Sequence, residues 1–343
     1  MIDYPFDLQT AWFLLVGVLL IGYAILDGFD LGVGALLLKV KNDADRRVLL
    51  NSIGPVWDGN EVWLVVGGGA LFAAFYHVYA TVFSAFYLPL MLLLMGLIFR
   101  AVAIEFRSKE PSPRWRHGWD IAFCVASAII PVLMGVALGN IVLGIPVAVD
   151  MEYRGGFFNL LNPYSLIVGV TTLSLFMMHG SIYLLMKTEG ALQEEVKRWV
   201  RSSMIFFGVM YGLLTIATFV FAPHMAAKIQ NEPWLFLLPV VSLLAIANIP
   251  REVTRGKEAN AFTSSALSIA SLLGLFGLGM YPNMVPSSLN PSYNLTIRNA
   301  SSSEATLTVM LTIALIGMPF VVAYTLLIYH VFRGKVNRAS LHY

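Results

Sequence analysis

Nine apolar stretches, at 8–38, 52–75, 78–99, 119–147, 163–186, 203–226, 234–250, 261–281 and 305–332, limit what this chain can fold into more than any other feature. Each is close to or longer than the roughly 20 residues that a helix needs to cross a bilayer core. In lipid every backbone donor and acceptor must be satisfied within the segment, so stretches of this length form α-helices. Composition agrees, with 58% hydrophobic and 12% charged residues and a mean hydropathy of +0.74 over 343 residues. A soluble chain of two or three domains is excluded, because water cannot hold so many apolar runs.

The expected fold is therefore an all-α polytopic membrane protein with nine transmembrane helices in one membrane domain, 1–343. A weak internal likeness links Leu26-Asp27-Gly28, running into Lys39–Arg47, with Met178-His179-Gly180, running into Lys187–Arg201. It suggests two four-helix bundles, 1–147 and 163–281, plus a peripheral ninth helix at 305–332.

If the connections alternate sides, 19 of the 22 basic residues fall on one side, from Lys39, Lys41, Arg46 and Arg47 through to Arg333, Lys335 and Arg338. Only Arg154, Lys228 and Arg298 lie on the other. Basic residues are retained in the cytoplasm during insertion, so the N-terminus is expected outside and the C-terminus inside. The start, MIDYPFD, is acidic and lacks the basic region of a secretory leader, so the first apolar segment is expected to stay in the membrane.

Tryptophans 12, 115, 119, 199 and 234 sit near expected helix ends, as interfacial anchors do. The longest outer connection, Pro282 to Glu304, is rich in Ser, Asn and Pro and reads as an exposed loop in which Asn294-Leu-Thr and Asn299-Ala-Ser are chance sequons. Gly67-Gly68-Gly69 lacks the context of a phosphate loop and suits close helix packing. Prolines 89, 131, 239 and 319 are expected to kink their helices. The single cysteine, Cys124, excludes an internal disulfide and reads as a small buried residue. No pattern for nucleic-acid binding is present.

Chemistry is expected where charge enters these apolar segments. Asp58 and Glu61 stand at i and i+3 in the second segment, and Asp27 and Asp30 at the same spacing in the first, so each pair shares a helix face. A charge at the bilayer centre costs about 3 kcal/mol on insertion scales, so acids there face protein or water and mark proton or ion routes. Counting 1.5 Å per residue, Asp27 lies about 18 Å from Lys39 and Asp58 about 9 Å from Ser52, which puts all four in the cytoplasmic half. Carboxyls grouped in apolar surroundings can exchange protons near neutral pH.

A structural reading stands beside this one. Asn51 or Ser52 could cap the helix with Pro55 in its first turn, so that Asp58 only complements the helix dipole. Arg100 could pair with one of the acids, and Gly28-x-x-x-Gly32 could serve close packing. Of six histidines, only His179 falls well inside a helix, and it reads as a packing residue rather than a haem ligand.

The motifs Asp27-Gly-Phe-Asp-Leu-Gly-Val-Gly34, Asn51-Ser-Ile-Gly-Pro-Val-Trp-Asp-Gly-Asn-Glu-Val-Trp-Leu64, Leu71-Phe-Ala-Ala74, Ser84-x-Phe-Tyr87 and Phe99-Arg100, followed by Glu105-Phe-Arg107-Ser-Lys109, resemble the second subunit of cytochrome bd quinol oxidase. All lie in the first third of the chain. The resemblance implies a haem-bearing partner, subunit I, with two b-type haems, haem d and the quinol-oxidising loop, and no cofactor bound by this chain. It leaves room for a small single-helix accessory subunit, with membrane lipids and quinone as further contacts. It also implies a bacterial cytoplasmic membrane, quinol oxidation, reduction of dioxygen to water, and protons drawn from the cytoplasm. In the family a carboxylate of the Trp-Asp-Gly-Asn motif lines a proton path toward haem d, a role that carries to Asp58. Glu61 stands where some relatives have Gln, and Tyr76-His77 departs from the family's aromatic-Pro pattern. The competing reading is a stand-alone proton-coupled transporter, which buried acids and half-repeats also suit.

Overall fold

A computed structural model describes residues 7–336; Arg338 and His342 lie outside the described residues. Helix α1 (Leu8–Leu36) is the central element. Its start is capped by Asp7, whose side chain accepts from the Thr10 amide. The short helix α2 (Asp43–Ile53) and helix α3 (Trp57–Ala74) follow, then α4 (Tyr76–Ala85), α5 (Tyr87–Phe106) and α6 (Pro113–Leu143). The second half comprises α7 (Pro163–Lys187), α8 (Gly190–Phe221), the short α9 (His224–Asn231), α10 (Leu237–Thr254), α11 (Glu258–Met280) and α12 (Glu304–Val331).

Eight of these helices, with their flanking turns, are long and apolar enough to cross a membrane. The segment expected at 52–75 is not one helix. Asn51 and Ser52 lie in the last turns of α2, Pro55 falls in the turn, and α3 begins only at Trp57. The 18 residues of α3 carry Asp58, Asn60 and Glu61 near their start, which keeps the helix below the apolarity of the other eight. The segment expected at 78–99 is also displaced. Interruptions of the helix at Phe75 and Phe86 isolate α4, and the spanning helix runs through Tyr87–Lys109.

Helix α6 starts six residues earlier than expected and stops at Leu143, where Gly144 adopts φ +85°. Helix α8 starts at Gly190 rather than 203 and so takes in Lys197, Arg198 and Arg201. Pro89 and Pro239 sit in the first turns of α5 and α10, where no intrahelical partner is lost and no kink is required. Pro131, Pro250 and Pro319 are interior.

Glycines bring α1 and α7 into contact. A Cβ at Gly32 would stand 1.9 Å from the Phe176 carbonyl oxygen, and one at Gly180 would stand 2.6 Å from the Gly32 carbonyl carbon. Gly135 and Gly169 do the same between α6 and α7. Small residues let backbones approach where the lipid gives helices no hydrophobic drive to associate. The triplet at 67–69 does not behave this way, since a Cβ at Gly68 or Gly69 would meet nothing within 4 Å.

The two ends of the bundle are tied differently. At the basic end, Asp120 binds both Arg46 and Arg107, Asp43 binds Arg107 and Arg116, and the Lys187 ammonium donates to the Phe332 carbonyl. At the opposite end the connection after α11 forms a folded cap, not an exposed loop. Strands β1 (Asn283–Val285) and β2 (Leu295–Thr296) pair antiparallel, with Asn283 opposite Thr296 and Val285 opposite Leu295. Val285, Leu295, Ile297 and Ala300 are fully buried beneath this turn-rich chain. Both sequon asparagines are engaged: Asn294 accepts from the Ser287 amide and Asn299 from the Thr296 amide. Turn chemistry written in Ser, Asn and Pro thus marks a tied structure here. Trp12 and Trp199 are likewise buried within the chain, with Trp12 Nε1 donating to the Leu307 carbonyl.

Candidate functional site

Four of the five charged residues singled out in the sequence converge between α1, α3 and α5. Arg100, on α5, is 1% exposed. Its Nη1 donates to both carboxylate oxygens of Asp27, at 2.7 and 2.9 Å, and its Nη2 donates to Glu61 Oε2 at 2.7 Å. The guanidinium carbon also stands 6.0 Å from the centre of the Trp57 ring. Asp27 is fully buried, whereas the Glu61 side chain is 23% exposed. One arginine therefore holds two acids from two helices. Each acid lies against the same positive charge, which balances only one negative charge when both carboxyls are ionised.

Asp30 is buried one turn further along α1 and takes no bond from Arg100. Its Oδ2 accepts from Asn60 Nδ2 at 2.7 Å, while Oδ1 has no hydrogen-bond partner among the described residues. Asn60 Nδ2 also donates to the Leu26 carbonyl, and Asn60 Oδ1 accepts from the Tyr329 hydroxyl at 2.9 Å. Asn60 lies inside the motif quoted above. Tyr329, on α12, gave no sequence signal because nothing local distinguishes it from other tyrosines in apolar segments, such as Tyr324.

Asp58 stands apart. It occupies the first turn of α3, where a carboxylate complements the positive end of the helix dipole. It is exposed and has no hydrogen bond or ion pair within the described residues. Glu61 follows one turn later at the cluster's edge, so the acids step from the chain's surface to its interior in the order Asp58, Glu61, Asp27.

His179 does not have the geometry of a haem ligand. Its Nε2 faces the Ile25 carbonyl at 3.0 Å and can only donate there, so Nδ1 accepts from Ser265 Oγ at 2.8 Å. The ring stacks on Phe262, with centroids 4.7 Å apart. Both nitrogens are thus committed to the protein. Among the described residues no group of three or more His, Cys, Asp or Glu could hold a metal ion.

Outside the apolar segments, burial works against ionisation of Asp43. The Arg107 hydrogen bond and the charges of Arg107 and Arg116 outweigh it and hold the carboxyl below the usual carboxylate range. The Arg107 side chain is only 2% exposed, so this network is part of the packing at the basic end.

A bundle of helices long and apolar enough to span a membrane, burying an arginine and two acids with a third acid at the edge, defines a polytopic membrane protein that holds charge in its interior. Comparison with known proteins narrows this class. The chain matches the model of cytochrome bd terminal oxidase subunit II over residues 8–332, and it belongs to that family. It is 37% identical to cytochrome bd-I ubiquinol oxidase subunit 2 of Escherichia coli K12, covering 99% of this chain and 98% of the relative. It is 35% identical to cytochrome bd ubiquinol oxidase subunit 2 of Bacillus subtilis 168, covering 96% and 97%. The fold matches the bd oxidase structure from Geobacillus thermodenitrificans with a TM-score of 0.80 at 17% identity, covering 95% of this chain and 98% of that one. The match thus extends well past the motifs of the first third.

Proposed function

We propose that this chain acts in a quinol:oxygen oxidoreductase of the respiratory chain as the subunit that binds no haem, stabilising subunit I and carrying protons toward its oxygen site. Family membership supports the oxidase reading, and the transporter reading has no comparable support. In this reading subunit I holds two b haems and haem d, which supplies the reduction of dioxygen. Quinol is the electron donor, and the complex sits in a bacterial cytoplasmic membrane. Helix α3 makes the ninth pass, with the N-terminus outside and the basic end in the cytoplasm; the joining of Arg46, Arg107, Arg116 and Lys187 at one end supports this orientation.

The observation that carries the proton role is the sequence of environments along the acids. Asp30 and Asp27 are buried, Glu61 is partly exposed, and Asp58 opens on the surface of the chain. An ionised group facing hydrocarbon would be costly, so an exposed Asp58 at membrane depth fits a contact with the partner subunit. Protons then enter from the cytoplasm, reside on the interior acids and leave through Glu61 and Asp58.

The test is Asp58→Asn in the purified complex. Oxygen consumption with quinol is expected to slow at neutral pH while quinol still reduces the haems. Turnover equal to the parent's would refute the proton role and leave the subunit a scaffold.

A further inference from the structure

We infer that Tyr329, acting through Asn60, is the positioning residue that orients the Asp30 carboxyl for proton exchange, an inference that rests on the proton reading of the buried acids. The chain of bonds has one direction. The Tyr329 hydroxyl donates to Asn60 Oδ1, and Asn60 Nδ2 donates to Asp30 Oδ2 and to the Leu26 carbonyl. An amide can present either its oxygen or its NH2 to a neighbour, and the network decides which. With the hydroxyl holding Oδ1, the amide offers its hydrogens to Asp30. Proton arrival and departure are then assigned to Oδ1, the oxygen that no other group binds among the described residues. The carboxylate takes one proton there and later releases the same proton.

Three helices that are distant in sequence build this arrangement, from Asp30 on α1 through Asn60 on α3 to Tyr329 on α12. Helix α12 is otherwise weakly held. Within its apolar stretch no residue is buried, and Leu307 near its start is its one buried residue. Tyr329 is thus a specific polar contact on a helix that is otherwise held mainly near its start. Its ring meets Phe29 edge-on, with centroids 6.4 Å apart, so the ring and the hydroxyl are separable by substitution.

The charged and titratable groups around Asp30 come from every side. They are Asp27 on its own helix, Glu61 on α3, Arg100 on α5, Tyr183 on α7 and Tyr329 on α12, while α11 contributes Phe262 and Ser265 around His179. Among the described residues none of these hydrogen-bonds Asp30, whose one hydrogen-bond partner is Asn60.

The experiment compares Tyr329→Phe, Asp30→Asn and Tyr324→Phe in the whole oxidase complex, measuring quinol-driven oxygen consumption across pH with haem content and thermal midpoint. Tyr324 is exposed on the same helix and serves as the control. Tyr329→Phe is expected to lower turnover about two- to tenfold, the range of one neutral hydrogen bond. It should also displace the pH profile, with haem content and midpoint as in Tyr324→Phe. A Tyr329→Phe profile that superimposes on the parent's, while Asp30→Asn is impaired, overturns this inference and spares the proton reading. An Asp30→Asn profile equal to the parent's overturns the place of Asp30 in the route and this inference with it. A lowered midpoint with an unmoved pH profile makes Tyr329 purely structural and also overturns it.

Discussion

Removing Arg100 tests the energetics of the interior most directly. Asp27 is fully buried and depends on Arg100 for its only ion pair among the described residues, and Glu61 shares the same guanidinium. Breaking a buried pair by deleting one partner costs about 3–5 kcal/mol, because the remaining charge has no compensation. At about 1.4 kcal/mol per factor of ten, Arg100→Leu should lower the folded-to-unfolded ratio by roughly two to three and a half powers of ten. The measurement is resistance of the purified complex to a denaturing detergent in mixed micelles, followed by tryptophan fluorescence. The same reasoning requires that Arg100→Leu with Asp27→Leu and Glu61→Leu regain most of the loss, since apolar replacement of a whole buried ionic group is often neutral. An Arg100→Leu complex as resistant as the parent, or a triple variant as weak as the single one, would falsify the argument from uncompensated charge.

Gly32→Ala places a Cβ against the Phe176 backbone and should abolish accumulation of monodisperse protein in size exclusion, whereas Gly68→Ala, where a Cβ meets nothing, should accumulate like the parent. His179→Phe leaves Ser265 and the Ile25 carbonyl without their partner; the complex is expected to lose about 1–3 kcal/mol of stability in the same detergent titration, with its haem absorbance per complex unchanged. Loss of a haem band would overturn the assignment of His179 to packing. Asp43 binds its proton less readily in the folded chain than in the unfolded one, so its contribution to stability is present above the ordinary carboxylate value of about 3.9 and disappears as pH falls through the lower folded value. Thermal midpoints taken down to that acid range should therefore drop less for Asp43→Asn than for the parent.

Much of this molecule could be read directly from the sequence. Transfer free energy accumulates residue by residue, so the apolar stretches, the spread of basic residues and the helical nature of the chain needed no tertiary knowledge. Helical spacing also placed Asp27 with Asp30 and Asp58 with Glu61, and the family resemblance singled out Asp58 among them. Spacing within one helix cannot say what stands opposite. The Asp27–Arg100 pair spans 73 residues and the Tyr329–Asn60 bond spans 269, and both exist only because α1, α3, α5 and α12 pack together. Tertiary packing likewise buried Trp12, folded the Pro282–Glu304 segment into a cap and accompanies the interruptions of the helix at Phe75 and Phe86. It left Asp58 on the surface while enclosing Asp27, because burial is a property of neighbours, and neighbours on other helices are absent from any local pattern.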